Sequence, residues 1–241
     1  MSIDSSRRTF VQGGAALAGV AIAAASSRYA DAQTPNSPST GAEPMSFSVK
    51  PLPLDPKKIK GLSEKLLVSH YENNYTGAVK RLNAITEQLA GLDYAKASGF
   101  VINGLKREEL IAANSMILHE LYFAGLGDES RPGAALAEAL ARDFGSVERW
   151  RAEFVAMGKA EGGGSGWVLL TWSPRDKRLI NAWAADHTTT LAGGQPILAL
   201  DMYEHPYHMD YGAKAGDYVE AFMQAIRWSN ADSLYENHVR G

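Results

Sequence analysis

Between Leu62 and Gln88, apolar residues recur at helical spacing, at Leu66, Leu67, Val79, Leu82 and Ile85, with no proline among them, and this predicts a helix. Lys106 to Phe123 repeats the pattern with Leu110, Ile111, Met116, Ile117 and Leu121 as its apolar side, so the two segments predict an antiparallel helical hairpin. After the break at Gly125 to Pro132, two more helices are predicted, Ala134 to Phe144 and Ser146 to Lys159. Ser146 caps the second, whose buried stripe is Trp150, Phe154 and Met157. The period changes at Gly162 to Gly166. Trp167 to Trp172 and Arg178 to Ala184 are β-rich runs flanking a turn at Ser173 to Lys177, Ile197 to Tyr203 supplies a third strand, and Tyr218 to Trp228 closes the chain with an amphipathic helix. Helices first and an antiparallel sheet second make an α+β architecture: a helical-hairpin domain over 47–128, then a C-terminal domain over 129–241 with a three-stranded antiparallel sheet and flanking helices.

The first 32 residues do not fit this pattern. Arg7-Arg8-Thr9-Phe10 precedes a weakly apolar run from Gly13 to Ala25, and Ala30-Asp31-Ala32 offers a small-residue cleavage site. The run is about half the roughly 20 residues of a membrane span, so no stable span is expected. The segment is similar to a twin-arginine export signal, which implies a folded protein exported to the periplasm or another extracytoplasmic space and cleaved near Ala32. Residues 33–46, rich in Pro, Ser and Thr, read as a flexible linker.

Charge and composition narrow the chemistry. The 241 residues carry a formal net charge of −3, and no basic block suggests a nucleic-acid partner. There is no cysteine, so a metal has to be held by His, Asp or Glu, and there are only six histidines. The glycine run at 162–166 lacks the pattern of a phosphate cradle and reads as tight turns.

Metal-competent side chains are densest at Asp201-Met202-Tyr203-Glu204-His205-Pro206-Tyr207-His208. By itself this cluster suits a capped or hydrogen-bonded strand end as well as a metal site. His70 and His119 change the balance, because each sits mid-helix among apolar neighbours, where an unpaired imidazole is costly to bury and ligation is one solution.

These residues carry a family resemblance. From about Phe47 to Asn237 the chain resembles the iron/manganese superoxide dismutases. His70 is followed thirteen residues later by Asn83, His119 precedes the aromatic pair Tyr122-Phe123, Gly164-Ser165-Gly166-Trp167 enters the sheet, and Asp201-Met202-Tyr203-Glu204-His205-Pro206-Tyr207 matches the family signature. The resemblance implies that His70, His119, Asp201 and His205 ligate one iron or manganese ion per chain, and that superoxide is disproportionated to dioxygen and hydrogen peroxide. It also implies a homodimer or higher homo-oligomer in which Glu204 pairs with the partner's ligand His205. The alternative is a metal-binding or metal-storage protein on the same fold with lost or slow dismutation.

The sequence departs from the family at instructive places. The glutamine that tunes the solvent molecule in such sites is replaced, on the sheet side, by His187, and the equivalent helix position is Ser115. His187 is the expected solvent partner, and its resemblance to the His-bearing relatives favours iron. The gate positions four and eight residues after the first ligand, usually His and Tyr, are Asn74 and Ala78, and the signature's last Tyr is His208. A rebuilt gate that places Asn74 near a partner's His208 is expected. Trp167, Tyr203 and Phe123 are expected as walls, and the basic residue that often draws in the anion is Ala215, with Lys214 adjacent.

Overall fold

Ser63 starts the first helix, its Oγ accepting the Leu66 N–H at 3.1 Å and so satisfying one of the donors that every helix start leaves free. A computed structural model gives the structure of residues 43–127 and 131–240. The expected export signal and most of the expected linker lie outside these residues.

The segment expected to be one α-helix is three pieces in a row: α1 (Glu64–Ser69), a π turn (His70–Tyr75) and α2 (Thr76–Ala90). At the turn the Thr76 N–H reaches back five residues to the Tyr71 carbonyl instead of four. Such turns are rare and concentrate at functional sites. The predicted apolar positions Leu66, Leu67, Val79, Leu82 and Ile85 are all buried.

The second hairpin helix, α3 (Gly99–Ala124), begins seven residues before the expected Lys106. It runs antiparallel to the first, since Arg81 pairs with Glu108 while His70 lies beside His119. Its buried side is Ala112, Ser115, Met116, Leu118, His119, Tyr122 and Phe123, whereas Leu110 and Ile117, read as core from the sequence, are exposed. Both faces of α3 carry apolar residues, so its period could not select the inner one. An N-terminal arm lies along α2, where the Asn83 side chain pairs with both the N–H and the carbonyl of Phe47 at 2.8 and 2.9 Å, and Thr86 donates to the Met45 carbonyl.

Helices α4 (Ala134–Phe144) and α5 (Val147–Glu161) follow, and Ser146 caps α5 by accepting the Arg149 N–H. Trp150 and Phe154 are buried, but Met157 only partly. Strands β1 (Trp167–Ser173), β2 (Arg178–Ala184) and β3 (Gln195–Asp201) form an antiparallel sheet in the order β2-β1-β3. Every residue of the central strand β1 is buried. Compared with expectation, β3 is displaced two residues toward the N-terminus. Pro196 is accommodated because β3 is an edge strand with a register shift between Leu170 and Thr171. The strand stops at Asp201 because Asp201 Oδ1 accepts the Tyr203 N–H and turns the chain.

The single closing helix expected at Tyr218 to Trp228 is two helices. After a short α6 (His208–Tyr211), α7 (Ala215–Gln224) stops and α8 (Trp228–Arg240) begins. The break is pinned by a backbone bridge in which the Gly127 N–H donates to the Ala225 carbonyl and the Arg227 N–H to the Gly125 carbonyl, both at 2.7 Å. A side chain at position 127 would meet Arg227 Cβ at 2.8 Å, so the bridge needs glycine there. Among the described residues no helix is long and apolar enough to cross a membrane.

Candidate metal centre

Asp201 ends β3 opposite Trp167 of β1, and its surroundings leave one oxygen free for chemistry. Oδ1 accepts the Tyr203 N–H, and the Tyr218 hydroxyl donates to the Asp201 carbonyl at 2.8 Å. Oδ2 faces three imidazoles. His70 Nε2, from the π turn, lies 3.2 Å away; His205 Nε2, four residues beyond Asp201, 3.2 Å; and His119 Nε2, from α3, 3.6 Å. The four donor atoms lie within 4.8 Å of one another. His70, His119 and Asp201 are buried, while the His205 side chain is 26% exposed, so the cluster opens only on the His205 side.

The electrostatics define the ligand state. His119 Nδ1–H donates to the Ser115 carbonyl one helical turn back, at 2.6 Å, which turns a lone pair on Nε2 toward Asp201. Burial, then the neighbouring His70, lowers the His119 pKa to about 3. Burial also lowers that of His70, against the pull of Asp201. For Asp201 burial pushes the carboxyl up, but the imidazoles of His205 and His70 outweigh it and hold it well below the usual carboxylate range. The neutral imidazoles of His70 and His119 thus face an ionised carboxylate.

The hydrogen-bond inventory of this cluster does not close. Both ring nitrogens of His70 and Nε2 of His119 are buried with no hydrogen-bond partner. Leaving such atoms unpaired is expensive, and a cation between the two Nε2 atoms and Asp201 Oδ2 removes the cost at those two. The three Nε2–Oδ2 distances agree, since N and O donors about 2.0–2.2 Å from one ion and about 90–120° apart lie about 2.8–3.8 Å from one another. Three imidazoles and one carboxylate are a donor set suited to iron or manganese.

The expected walls are in place. Phe123 lies against His70, with ring centroids 5.0 Å apart, and Trp167 meets His119 edge-on at 5.4 Å. The Tyr203 ring stacks on His205 at 5.5 Å and on His187 at 4.8 Å. His187 is half-buried beside the cluster, 6.1 Å from the His119 ring, and the Trp167 indole N–H donates to its Nδ1 at 3.0 Å. An indole nitrogen can only donate, so the neutral His187 ring carries its proton on Nε2. Burial lowers its pKa, which favours that neutral form.

Of the remaining predicted residues, Asn74 is half-buried and Ala78 buried on the helix that carries His70, and Ser115 is buried beside His119. Glu204 and His208 are exposed at the turn that carries His205. Ala215 is buried, and a Cβ on Gly162 would come within 3.1 Å of it. Sequence reasoning missed Tyr218, which fixes the Asp201 backbone, and Asn114, whose amide donates to the His187 carbonyl. Neither belongs to a local pattern, since their partners are 17 and 73 residues away.

Comparison with known proteins adds independent findings. Residues 132–234 match the family model described as iron/manganese superoxide dismutases, C-terminal domain. The chain is 68% identical over 196 residues to a protein of Cupriavidus metallidurans named superoxide dismutase [Fe], an alignment covering 81% of this chain and all of that protein. It is 36% identical to superoxide dismutase [Mn] 2 of Haloferax volcanii, over 81% of this chain and 98% of that one. It is 31% identical to superoxide dismutase [Fe] of Aquifex pyrophilus, over 78% and 90%.

Proposed function

Since the chain belongs to the iron/manganese superoxide dismutase family and is a superoxide dismutase, we propose that His70, His119, Asp201 and His205 hold one iron or manganese ion per chain. The observation that carries this assignment is the convergence of three imidazole Nε2 atoms on Asp201 Oδ2, with those of His70 and His119 buried and unpaired. When bound, such an ion supplies one-electron redox chemistry, taking an electron from one superoxide and giving it to another.

The protein's own residues manage protons and access. Two superoxide ions and two protons yield dioxygen and hydrogen peroxide, so each turnover needs two protons delivered into a mostly buried site. His187 is the residue placed to handle them. With Nδ1 occupied by the Trp167 indole, its Nε2–H is free to donate to a solvent molecule in the site. Tyr203, stacked between His187 and His205, keeps those two rings parallel at the open side. Phe123 and Trp167 keep water from the other side. Asn74 and Ala78 leave the usual gate positions without a phenol, and access passes over half-buried Asn74.

We infer iron as the resident metal, supported by the iron-named relative at 68% identity and by the histidine at position 187. A homodimer is inferred from exposed Glu204 and His208 beside the ligand His205, with Glu204 pairing with the partner's His205. Residues 1–32 are inferred to be a twin-arginine export signal, giving a periplasmic or extracytoplasmic mature chain that begins at Gln33. Loading the purified protein separately with iron and manganese, counting bound metal and following superoxide decay tests the centre. About one equivalent per chain with fast decay in the iron form is expected; no bound metal refutes the ligand assignment. Sedimentation equilibrium tests the dimer, and the N-terminal sequence of the exported protein tests the signal.

A further inference from the structure

The π turn that carries His70 also carries two tyrosines, and both grip the same point of the N-terminal arm. The Tyr71 hydroxyl donates to the Lys50 carbonyl at 2.8 Å, and the Lys50 N–H donates to the Tyr75 hydroxyl at 2.9 Å. Tyr75, buried, passes its own proton to Glu120 Oε1 at 3.0 Å, and the Lys50 ammonium binds the other oxygen, Oε2. Glu120 is the residue after the ligand His119. One closed ring of hydrogen bonds therefore joins the π turn, α3 and the arm.

This ring is not a by-product of close packing. Lys50, Pro51, Pro53, Tyr71, Tyr75 and Glu120 all line a cavity of about 450 Å³, so on this side the ring borders open space. Nor is the ring part of the metal cluster, since Tyr75, Glu120 and Lys50 are absent from the donor group. It does bridge the two elements that carry His70 and His119, whose rings lie 4.9 Å apart.

We propose that Tyr75, Glu120 and Lys50 are positioning residues: a clamp that holds the π turn against α3 and thereby sets how tightly the His70 and His119 ligands retain the metal. The proposal rests on the metal centre inferred above. Its test is the rate at which a chelator strips iron from the holoprotein, read together with the ferric electron paramagnetic resonance spectrum. Tyr75→Phe keeps the ring but removes the hydroxyl, and about ten-fold faster release with an altered ferric spectrum is expected, in line with the effect of supporting residues at other metal sites. Lys50→Ala should speed release several-fold and Lys50→Arg should restore it. Combining Tyr75→Phe with Glu120→Gln should cost less than the sum of the two, because they break one ring. A lowered melting temperature with release rate and spectrum unchanged in Tyr75→Phe and Lys50→Ala overturns the proposal. Should Tyr75→Phe fail to fold, Lys50→Ala and Glu120→Gln, at side chains reached by solvent, decide it by the same two readouts. Failure of the native protein to bind iron or manganese refutes the metal centre itself, a result that separates the two.

Discussion

The inner and outer walls of the metal centre are built from different materials. On the inner side His70, His119 and Asp201 are buried and backed by Phe123, Tyr122 and Trp167, with His119 fixed through Nδ1 and Asp201 through its carbonyl. On the outer side His205, Tyr203 and His187 are partly open to solvent and follow one another through stacked rings. The dry wall has few proton donors to spare, and the wet wall carries titratable groups. On the proposed assignment, retention of the metal falls to the inner side and proton traffic to the outer.

That division is breakable in a definite order. The largest effect is expected from His119→Ala, which removes an inner ligand and should leave the purified protein without stoichiometric metal by elemental analysis. Retained metal would mean that the inner wall does not hold the ion. His187→Ala should keep the metal but lower the superoxide decay rate by roughly 10²-fold, the usual cost of losing one aligned donor, and should change the pH profile measured by pulse radiolysis. An unaltered profile would remove His187 from proton handling. Ala78→Tyr restores the phenol at a buried gate position, and a several-fold change in rate or in product inhibition is expected at unchanged metal content. Tyr203→Phe keeps the stacked ring and removes only the hydroxyl, so a smaller change in rate is expected.

The mildest prediction concerns a carboxyl outside both walls. Glu161 is buried with neither oxygen partnered among the described residues, and burial, reinforced by the Asp201 charge, pushes its pKa up to about 8. The folded protein holds the proton more tightly than the unfolded chain, so its contribution is full at acid pH and is lost as pH rises from about 4.5 through about 8. In the metal-free protein Glu161→Gln should flatten the fall in melting temperature over that range, with no change in metal content after loading. An equally steep fall in the variant would show that the carboxyl is ionised and paired.

Much of the centre was legible in the sequence because ligand chemistry restricts residue types. All four proposed ligands, the walls and His187 come together where they were expected. What stayed hidden depends on distant partners or on weak periodicity. Helix α8 has apolar residues only at Trp228, Ala231, Leu234, Tyr235 and Val239 among polar ones, and the bridge that separates it from α7 joins residues about a hundred positions apart. Gly104 looks like a breaker yet sits inside α3, and Gly99 is its first residue. No local composition marks the π turn, since His70 to Tyr75 differs from an ordinary helical stretch only in where its hydrogen bonds end.

That turn also has a consequence for how such a protein can change over generations. A π turn takes up one residue more than an α-helical turn, and so absorbs a residue that in a plain α-helix would rotate everything before it by about 100° and shift it by about 1.5 Å relative to α2. Leu66 and Leu67 lie on one side of the turn, and Val79, Leu82 and Ile85 on the other. The chain can thus gain or lose one residue at this point while Leu66, Leu67, Val79, Leu82 and Ile85 keep facing the core, and what such a change re-aims is the turn itself, with His70 on it.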